Sequence, residues 1–182
     1  MSKVYVFLAD GFEEIEGLTV VDLLRRAKIE TETVSITGQE MIHGSHGIDL
    51  LADRLFENTD FSDGDLFVLP GGMPGTKYLG AFKPLTDLLK EKDAAGKKLA
   101  AICAAPTVLG AQGLLAGKKA ICYPGLEEQL TGAVVTMESV VTDGNITTSR
   151  GMGTAIPFAL ALIAQLKDQE SADLLAKSIV YC

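Results

Sequence analysis

Three features of the chain predict a doubly wound α/β sandwich. Short apolar runs at residues 4–8, 66–69 and 99–102 are continuous rather than alternating, as in strands covered on both faces. Segments with apolar residues at helical spacing separate most of these runs. Turns rich in glycine and alanine follow them: Ala9-Asp10-Gly11, Pro70-Gly71-Gly72-Met73-Pro74-Gly75 and Cys103-Ala104-Ala105. Strand–helix units of this kind build a parallel sheet with helices on both faces, and ligands sit outside the carboxyl ends of its strands. The three turns should therefore share one rim.

Taken in order, the run at 4–8 is the first strand, closed by Asp10. Ile15, Leu18, Val21, Leu24 and Ala27 form the apolar face of a helix, with Arg25 and Arg26 at the end where its dipole favours cations. Residues 32–36, 66–69, 99–102 and 120–122 are the further strands. Leu85, Leu88 and Leu89 mark a second helix, and Pro106 starts another. Pro157, Phe158, Leu160, Ala161, Ile163, Ala164 and Leu166 mark a largely buried helix, and residues 171–180 close the chain with a last one. Two stretches break this rhythm. One is 44–51; the other pairs 140–142 with 146–148 around Asp143-Gly144-Asn145, a β-hairpin signal.

With 182 residues, 47% hydrophobic and 22% charged, the chain reads as one domain with a full core. A net charge of -8 and a pI near 4.7 exclude sequence-independent nucleic-acid binding, which needs cations to neutralise phosphate. Anionic membranes are equally poor partners. The 3 cysteines match neither a disulfide framework nor a zinc spacing, so reduced thiols, no metal and a cytoplasmic location are expected. Residues 4–9 are too short an apolar run for a signal peptide, so the mature chain is expected to start near Met1. Residues 99–117 carry no charge but contain Pro106, Gln112 and three glycines, which suits a buried strand and helix better than a membrane span.

Cys103 sits where an apolar strand hands over to a helix beginning near Pro106. Such a turn holds its residue in strained geometry beside free N–H groups, and the helix N-terminus is expected to lower the thiol pKa. Spacing alone leaves a nucleophile and a small buried hydrophobe equally open. In the first turn, Glu13 and Glu14 read as complements to the helix dipole. Glu16 falls a turn into the helix, where a cap is less useful. Aimed at the rim, its carboxyl would be pushed toward the protonated form beside a thiolate and could exchange a proton with substrate. The Gly72 and Ala104 N–H groups are candidates for a two-donor oxyanion hole. His43 and His46 lie in a glycine-rich segment and read as solvated, while Cys122 and Cys182 read as structural.

These residues fall in four ordered blocks: Ala9-Asp10-Gly11-Phe12-Glu13-Glu14-Ile15-Glu16, Val68-Leu69-Pro70-Gly71-Gly72, Ala100-Ala101-Ile102-Cys103-Ala104-Ala105-Pro106 and Thr148-Ser149-Arg150-Gly151-Met152-Gly153-Thr154. Together they resemble the ThiJ/PfpI superfamily, and more narrowly its branch of the Parkinson-disease protein deglycase and the bacterial ThiJ/YajL-like proteins. The resemblance runs from about Lys3 to Val180 and implies that residues 1–182 are a single ThiJ/PfpI-type domain. It implies a flavodoxin-like three-layer sandwich, similar to class I glutamine amidotransferases, with a mainly parallel sheet and a small β-hairpin. It implies a homodimer, a reactive cysteine at Cys103, an acidic partner at Glu16 and backbone donors at Gly72 and Ala104. Tyr123, Arg26 and His46 fall near positions that border the pocket or dimer interface in relatives.

The activity the resemblance implies is that of a cofactor-independent cysteine enzyme acting on α-oxoaldehydes such as methylglyoxal, or on their adducts. A glyoxalase or deglycase of the hydro-lyase or hydrolase type would fit. The alternatives are a redox-responsive chaperone or oxidative-stress sensor, a cysteine peptidase, and a non-catalytic binding protein. Two departures bear on mechanism. Tyr123 stands where several members carry a histidine, and a phenol is a poor base at neutral pH. Ala104 follows the cysteine where the peptidase branch has a histidine, which argues against a Cys–His dyad.

Overall fold

The computed structural model describes residues 2–181. In chain order, β1 (Lys3–Leu8), α1 (Glu14–Arg26) and β2 (Glu30–Ser35) open the fold, followed by β3 (Met41–His43), β4 (Asp49–Leu51) and β5 (Arg54–Leu55). Next come β6 (Leu66–Leu69), α2 (Gly75–Ala81), α3 (Lys83–Ala94), β7 (Lys98–Ile102) and α4 (Pro106–Ala111). The remainder is β8 (Lys119–Ala120), β9 (Val134–Val135), β10 (Val140–Asp143), β11 (Ile146–Ser149), α5 (Ala155–Leu166) and α6 (Gln169–Ser178).

The central sheet has 7 strands in the order β10-β11-β7-β6-β1-β2-β5. All neighbours are parallel except β10 and β11, the predicted hairpin. The architecture is the flavodoxin-like sandwich expected from the sequence. β6 is buried at every position, and β1 and β7 at all but the first, in keeping with their uninterrupted apolar runs, while β11 is buried throughout although three of its four residues are polar. One face packs on α1, α5 and α6 through Val6, Leu8, Leu24, Phe158 and Leu162. The other packs on α2, α3 and α4 through Phe7, Phe67, Leu79, Leu89 and Leu109. From β1 the chain goes to β2 on one side and later to β6 on the other. That reversal opens a crevice at the carboxyl ends of β1 and β6, the topological switch point of the sheet.

Several elements differ from the sequence reading. The run at 120–122 stays out of the central sheet: β8 pairs with β9 in a separate parallel ladder. The place beside β7 goes to β11, and the Ile121 N–H is satisfied instead by the Thr148 hydroxyl at 3.0 Å. α2 has two glycines in seven residues and gives little helical signal; it is held by the fully buried Leu79 and the close approach of Gly75 to Gly11. The segment 44–51 supplies the second arm of a small antiparallel pair, β3 with β4.

α1 forms as expected and buries Val21 and Leu24 of the expected face, but the buried face is rotated away from Ile15 and Leu18. Ile15 is 50% exposed and Leu18 37% exposed, while Glu14, Glu16, Gly17, Val20, Val21 and Leu24 point inward. Gly17 permits this: a Cβ there would stand 2.9 Å from the Phe12 ring. The missing side chain brings the helix close to the sheet, and two carboxylates are buried with it. No helix among the described residues is long and apolar enough to cross a membrane.

Candidate active site

Cys103 follows the last residue of β7, and its φ of 65° lies in the left-handed region. A non-glycine residue held there stores about 1–3 kcal/mol of strain and needs its neighbours to hold it. They do so through both backbone groups. The Cys103 N–H donates to the Ser149 carbonyl at 2.9 Å, and its carbonyl accepts from the Tyr123 N–H at 2.7 Å. The next turn closes with the Ala105 N–H on the Ile102 carbonyl, and Pro106 begins α4 as its first residue. The side chain is left half-buried at the rim.

Glu16 comes to the thiol from α1. It is 1% exposed; its Oε2 accepts from the Gly71 N–H at 2.9 Å, and its Oε1 has no protein partner among the described residues. Gly71 has to be glycine for this contact. A Cβ would lie 2.5 Å from Glu16 Oε2 and 2.7 Å from Cys103 Cβ. Burial pushes the Glu16 carboxyl up to about 7, opposed by the Cys103 and Gly71 hydrogen bonds and reinforced by the charge of Glu13. The same pressures act on the thiol. Burial and the Glu16 charge push Cys103 up, while the Ala104 and Gly72 backbone N–H groups pull it down.

This corrects the expectation that the helix N-terminus lowers the thiol pKa. α4 has only 6 residues, and its dipole with the two amides is outweighed by burial and by an ionised Glu16. Protonation of Glu16 removes the repulsion, so the two groups share their acidity: a thiolate is favoured when Glu16 holds the proton.

A hollow of about 380 Å³ opens over the thiol, lined in part by Gly72, Met73, Cys103, Ala104, Tyr123 and Leu126. Hollows of about 420 and 480 Å³ elsewhere are larger, but among the described residues neither is lined by a cysteine. Cys103, Glu16, Gly72, Ala104 and Tyr123 thus converge. Arg26 and His46 do not line this hollow. Arg26 is paired with Asp22 at the far end of α1, over a separate hollow that includes Thr19, Ile156 and Ile179. His46 is an exposed loop residue turned toward Glu14. Its position follows from the hydrogen bonds that tie the loop to α1, which no spacing rule reveals.

Glu14 is likewise more than a complement to the helix dipole. It is 2% exposed and accepts from the His46 N–H at 2.7 Å, the Ser45 hydroxyl at 3.1 Å, His46 Nδ1 at 3.0 Å and the Ile48 N–H at 3.4 Å. Burial alone would raise its carboxyl, but His46 and these other donors hold it down at about 2. Asp10 does similar work one turn earlier, accepting from the His43 N–H at 2.9 Å. Sequence reasoning also missed Gly71; the Gly-Gly doublet after β6 was the available signal, and it points equally to either glycine.

Among the described residues, Glu13, Glu14 and His46 have metal-ligand spacing, with one ligand atom from each within 4.8 Å of the others. His46 Nδ1 lies 3.0 Å from Glu14 and 3.5 Å from Glu13, so the imidazole is already engaged by both carboxylates. His43 is engaged by Asp49 at 2.8 Å. Cys122 is buried, and Cys182 lies outside the described residues.

A strained cysteine at a strand–helix elbow, faced by a buried acid and two amides, defines the class as α/β proteins of the nucleophile-elbow type. Comparison with known proteins makes the assignment specific. Residues 2–165 match the DJ-1/PfpI family, and the chain belongs to that family. It is 38% identical over 183 residues to Protein dj-1beta of Drosophila melanogaster, covering 99% of this chain and 98% of that one. It is 41% identical over 172 residues to Protein DJ-1 homolog B of Arabidopsis thaliana, covering 93% of this chain but 39% of that longer protein. A Caenorhabditis elegans relative named glutathione-independent glyoxalase is 30% identical, covering 92% of this chain and 89% of that one. The structure of oxidized Toxoplasma gondii DJ-1 superposes with a TM-score of 0.95 at 38% identity, covering 99% and 98% of the two chains.

Proposed function

We propose that this protein is a cofactor-independent cysteine enzyme acting on α-oxoaldehydes or their adducts. The observation that carries the reading is the Glu16 carboxyl, anchored on Gly71 against Cys103 with its pKa pushed up to about 7. Such a group can both give and take a proton at neutral pH. The thiol sulfur adds to the aldehyde carbon, its proton passes through Glu16 to the former carbonyl oxygen, and a hemithioacetal forms. Ionised Glu16 then removes the proton on that carbon to give an enediol, and returns it to the neighbouring carbon. The result is a 2-hydroxy thioester. Water releases the hydroxyacid and restores the thiol, so the net change is one aldehyde plus one water. The Gly72 and Ala104 N–H groups, which face the sulfur, are suited to holding the oxyanions. Deglycation follows the same path from a methylglyoxal adduct, with the amine or thiol as leaving group.

Incubation of pure protein with methylglyoxal should yield lactate. If the wild type produces no more than Cys103→Ala or Glu16→Gln, the reading fails. His43 and His46, engaged by Asp49 and Glu14, offer no base to a Cys–His peptidase.

A second reading has its own support. A protonated Glu16 and two amides beside a half-buried thiol would stabilise a sulfinate, making Cys103 an oxidative-stress sensor or the switch of a redox-responsive chaperone. Peroxide titration with intact-mass detection tests it; oxidation of Cys103 no faster than that of Cys122 rejects it. The reading extends to a cytoplasmic homodimer. Exposed Ile15 and Leu18 on α1, with Ile48 on the adjoining loop, form an apolar surface suited to a second copy. Sedimentation of Leu18→Glu as a monomer, against a wild-type dimer, would bear this out.

A further inference from the structure

The hollow over Cys103 has a chemistry of its own. It is lined by Met73, Tyr123, Pro124 and Leu126 beside the elbow residues, and among the described residues no charged side chain lines it. The one carboxyl at the site, Glu16, is buried beneath and committed to Gly71. Beyond the Gly72 and Ala104 N–H groups beside the sulfur, the lining offers no charged partner for a carboxylate, a phosphate or an ammonium group. The volume of about 380 Å³ lies in the range that drug-sized ligands occupy, far more than a three-carbon aldehyde fills.

Tyr123 is the organising wall. Its N–H is bonded to the Cys103 carbonyl at 2.7 Å, which ties the residue to the elbow, and its own carbonyl accepts from the Leu126 N–H at 3.1 Å. Its ring lies close over Gly151, where a Cβ would be 3.4 Å from Cδ2 and 4.0 Å from the Cys103 sulfur. One atom position thus lies near both the ring and the sulfur. Tyr123 is nevertheless 52% exposed, and Met73, also lining the hollow, is 49% exposed. A fixed but open aromatic face and a thioether are good partners for an aryl group.

We propose that this hollow selects α-oxoaldehydes whose ketone carbon carries an uncharged aryl or bulky apolar group, with Tyr123 determining the preference. The inference rests on the α-oxoaldehyde reading and names its substrate class. The aldehyde carbon meets the sulfur while the aryl group lies along Tyr123 toward Met73.

The test compares phenylglyoxal with methylglyoxal in wild type, Tyr123→Phe and Tyr123→Ala. Each ratio of kcat/KM values is set against the wild-type ratio, which cancels the intrinsic reactivity of the aldehydes. Tyr123→Ala should lower the phenylglyoxal-to-methylglyoxal ratio by about fivefold or more, while Tyr123→Phe keeps it within about twofold. A parallel readout needs no turnover: the rate of Cys103 alkylation by N-phenyl iodoacetamide relative to iodoacetamide should fall by a similar factor in Tyr123→Ala alone. Equal losses for both aldehydes, with an unmoved alkylation ratio, would overturn the inference and leave the glyoxalase reading intact. Absence of turnover with both aldehydes, alongside the expected change in alkylation ratio, would instead remove the glyoxalase reading and keep the aryl selectivity.

Discussion

Glu14 and Glu16 lie two residues apart in the first turn of α1, both almost fully buried, yet their acidities are driven in opposite directions. Glu14 meets two backbone N–H groups, a hydroxyl and an imidazole, and its carboxyl is held at about 2. Glu16 meets a single backbone N–H on one oxygen and is pushed up to about 7. Both side chains are shielded from solvent, but Glu16 lies deeper among packed atoms and meets fewer donors, so desolvation and donors together decide the sign. The first carboxylate fastens the loop that carries His46 to the helix, and the second is left free to hold a mobile proton beside Cys103. One turn of helix therefore supplies both a structural anion and the acid proposed to act with Cys103.

The most severe way to break this contrast is chemical. Glu16→Gln, which keeps the shape but not the proton exchange, should lower methylglyoxal turnover by about 10²–10⁴-fold, and Cys103→Ala should abolish it; lactate assays read both. Glu14→Gln should leave far more activity than Glu16→Gln. A comparable loss from both would erase the distinction.

The next effect is on stability against pH, followed by urea unfolding from pH 2 to 9. For Glu14 the folded pKa lies below the unfolded one, so its contribution is present above about 4.5 and is lost as pH falls toward 2. For Glu16 the folded pKa lies above the unfolded one, so its contribution is full below about 4.5 and is lost as pH rises through 7. Each limb is worth about 3 kcal/mol at most. Glu14→Gln should flatten the acid limb and Glu16→Gln the neutral one, making Glu16→Gln more stable than wild type at pH 8. Limbs that fail to move with their own residue would contradict the assignment of either carboxylate.

Gly71→Ala sharpens the comparison at intermediate size. Its Cβ collides with Glu16 and Cys103, so a loss of about 1–3 kcal/mol in urea unfolding should accompany a marked loss of turnover. The smallest effect belongs to His46→Gln. This exposed residue should alter kcat/KM by less than about twofold while speeding amide exchange in residues 45–48, measured by hydrogen–deuterium exchange.

Much of the architecture was legible because burial on both faces of β1, β6 and β7 leaves uninterrupted apolar runs, and because Asp143-Gly144-Asn145 marks a hairpin between β10 and β11. The elbow at Cys103 was legible because Pro106 can begin a helix and small residues surround the turn. The phase of α1 was not. Apolar spacing favours a face with Ile15 and Leu18, but the tight fit of Gly17 on Phe12 turns Glu14 and Glu16 inward instead. Nor was the place of residues 120–122 legible, since a short apolar run carries no label saying which ladder accepts it.

From the sequence alone came the kind of fold, the rim on which its turns meet, and the residues Cys103, Glu16, Gly72 and Ala104 as candidates; local patterns determine these because strand burial, helix initiation and glycine turns act over short spans. Only the tertiary structure decided what those candidates are to one another. The raised pKa of Glu16, the rise rather than fall in the pKa of Cys103, the fastening of Glu14 to a distant loop and the apolar wall at Tyr123 all depend on groups brought together across the chain, and electrostatics and solvation follow distance in space.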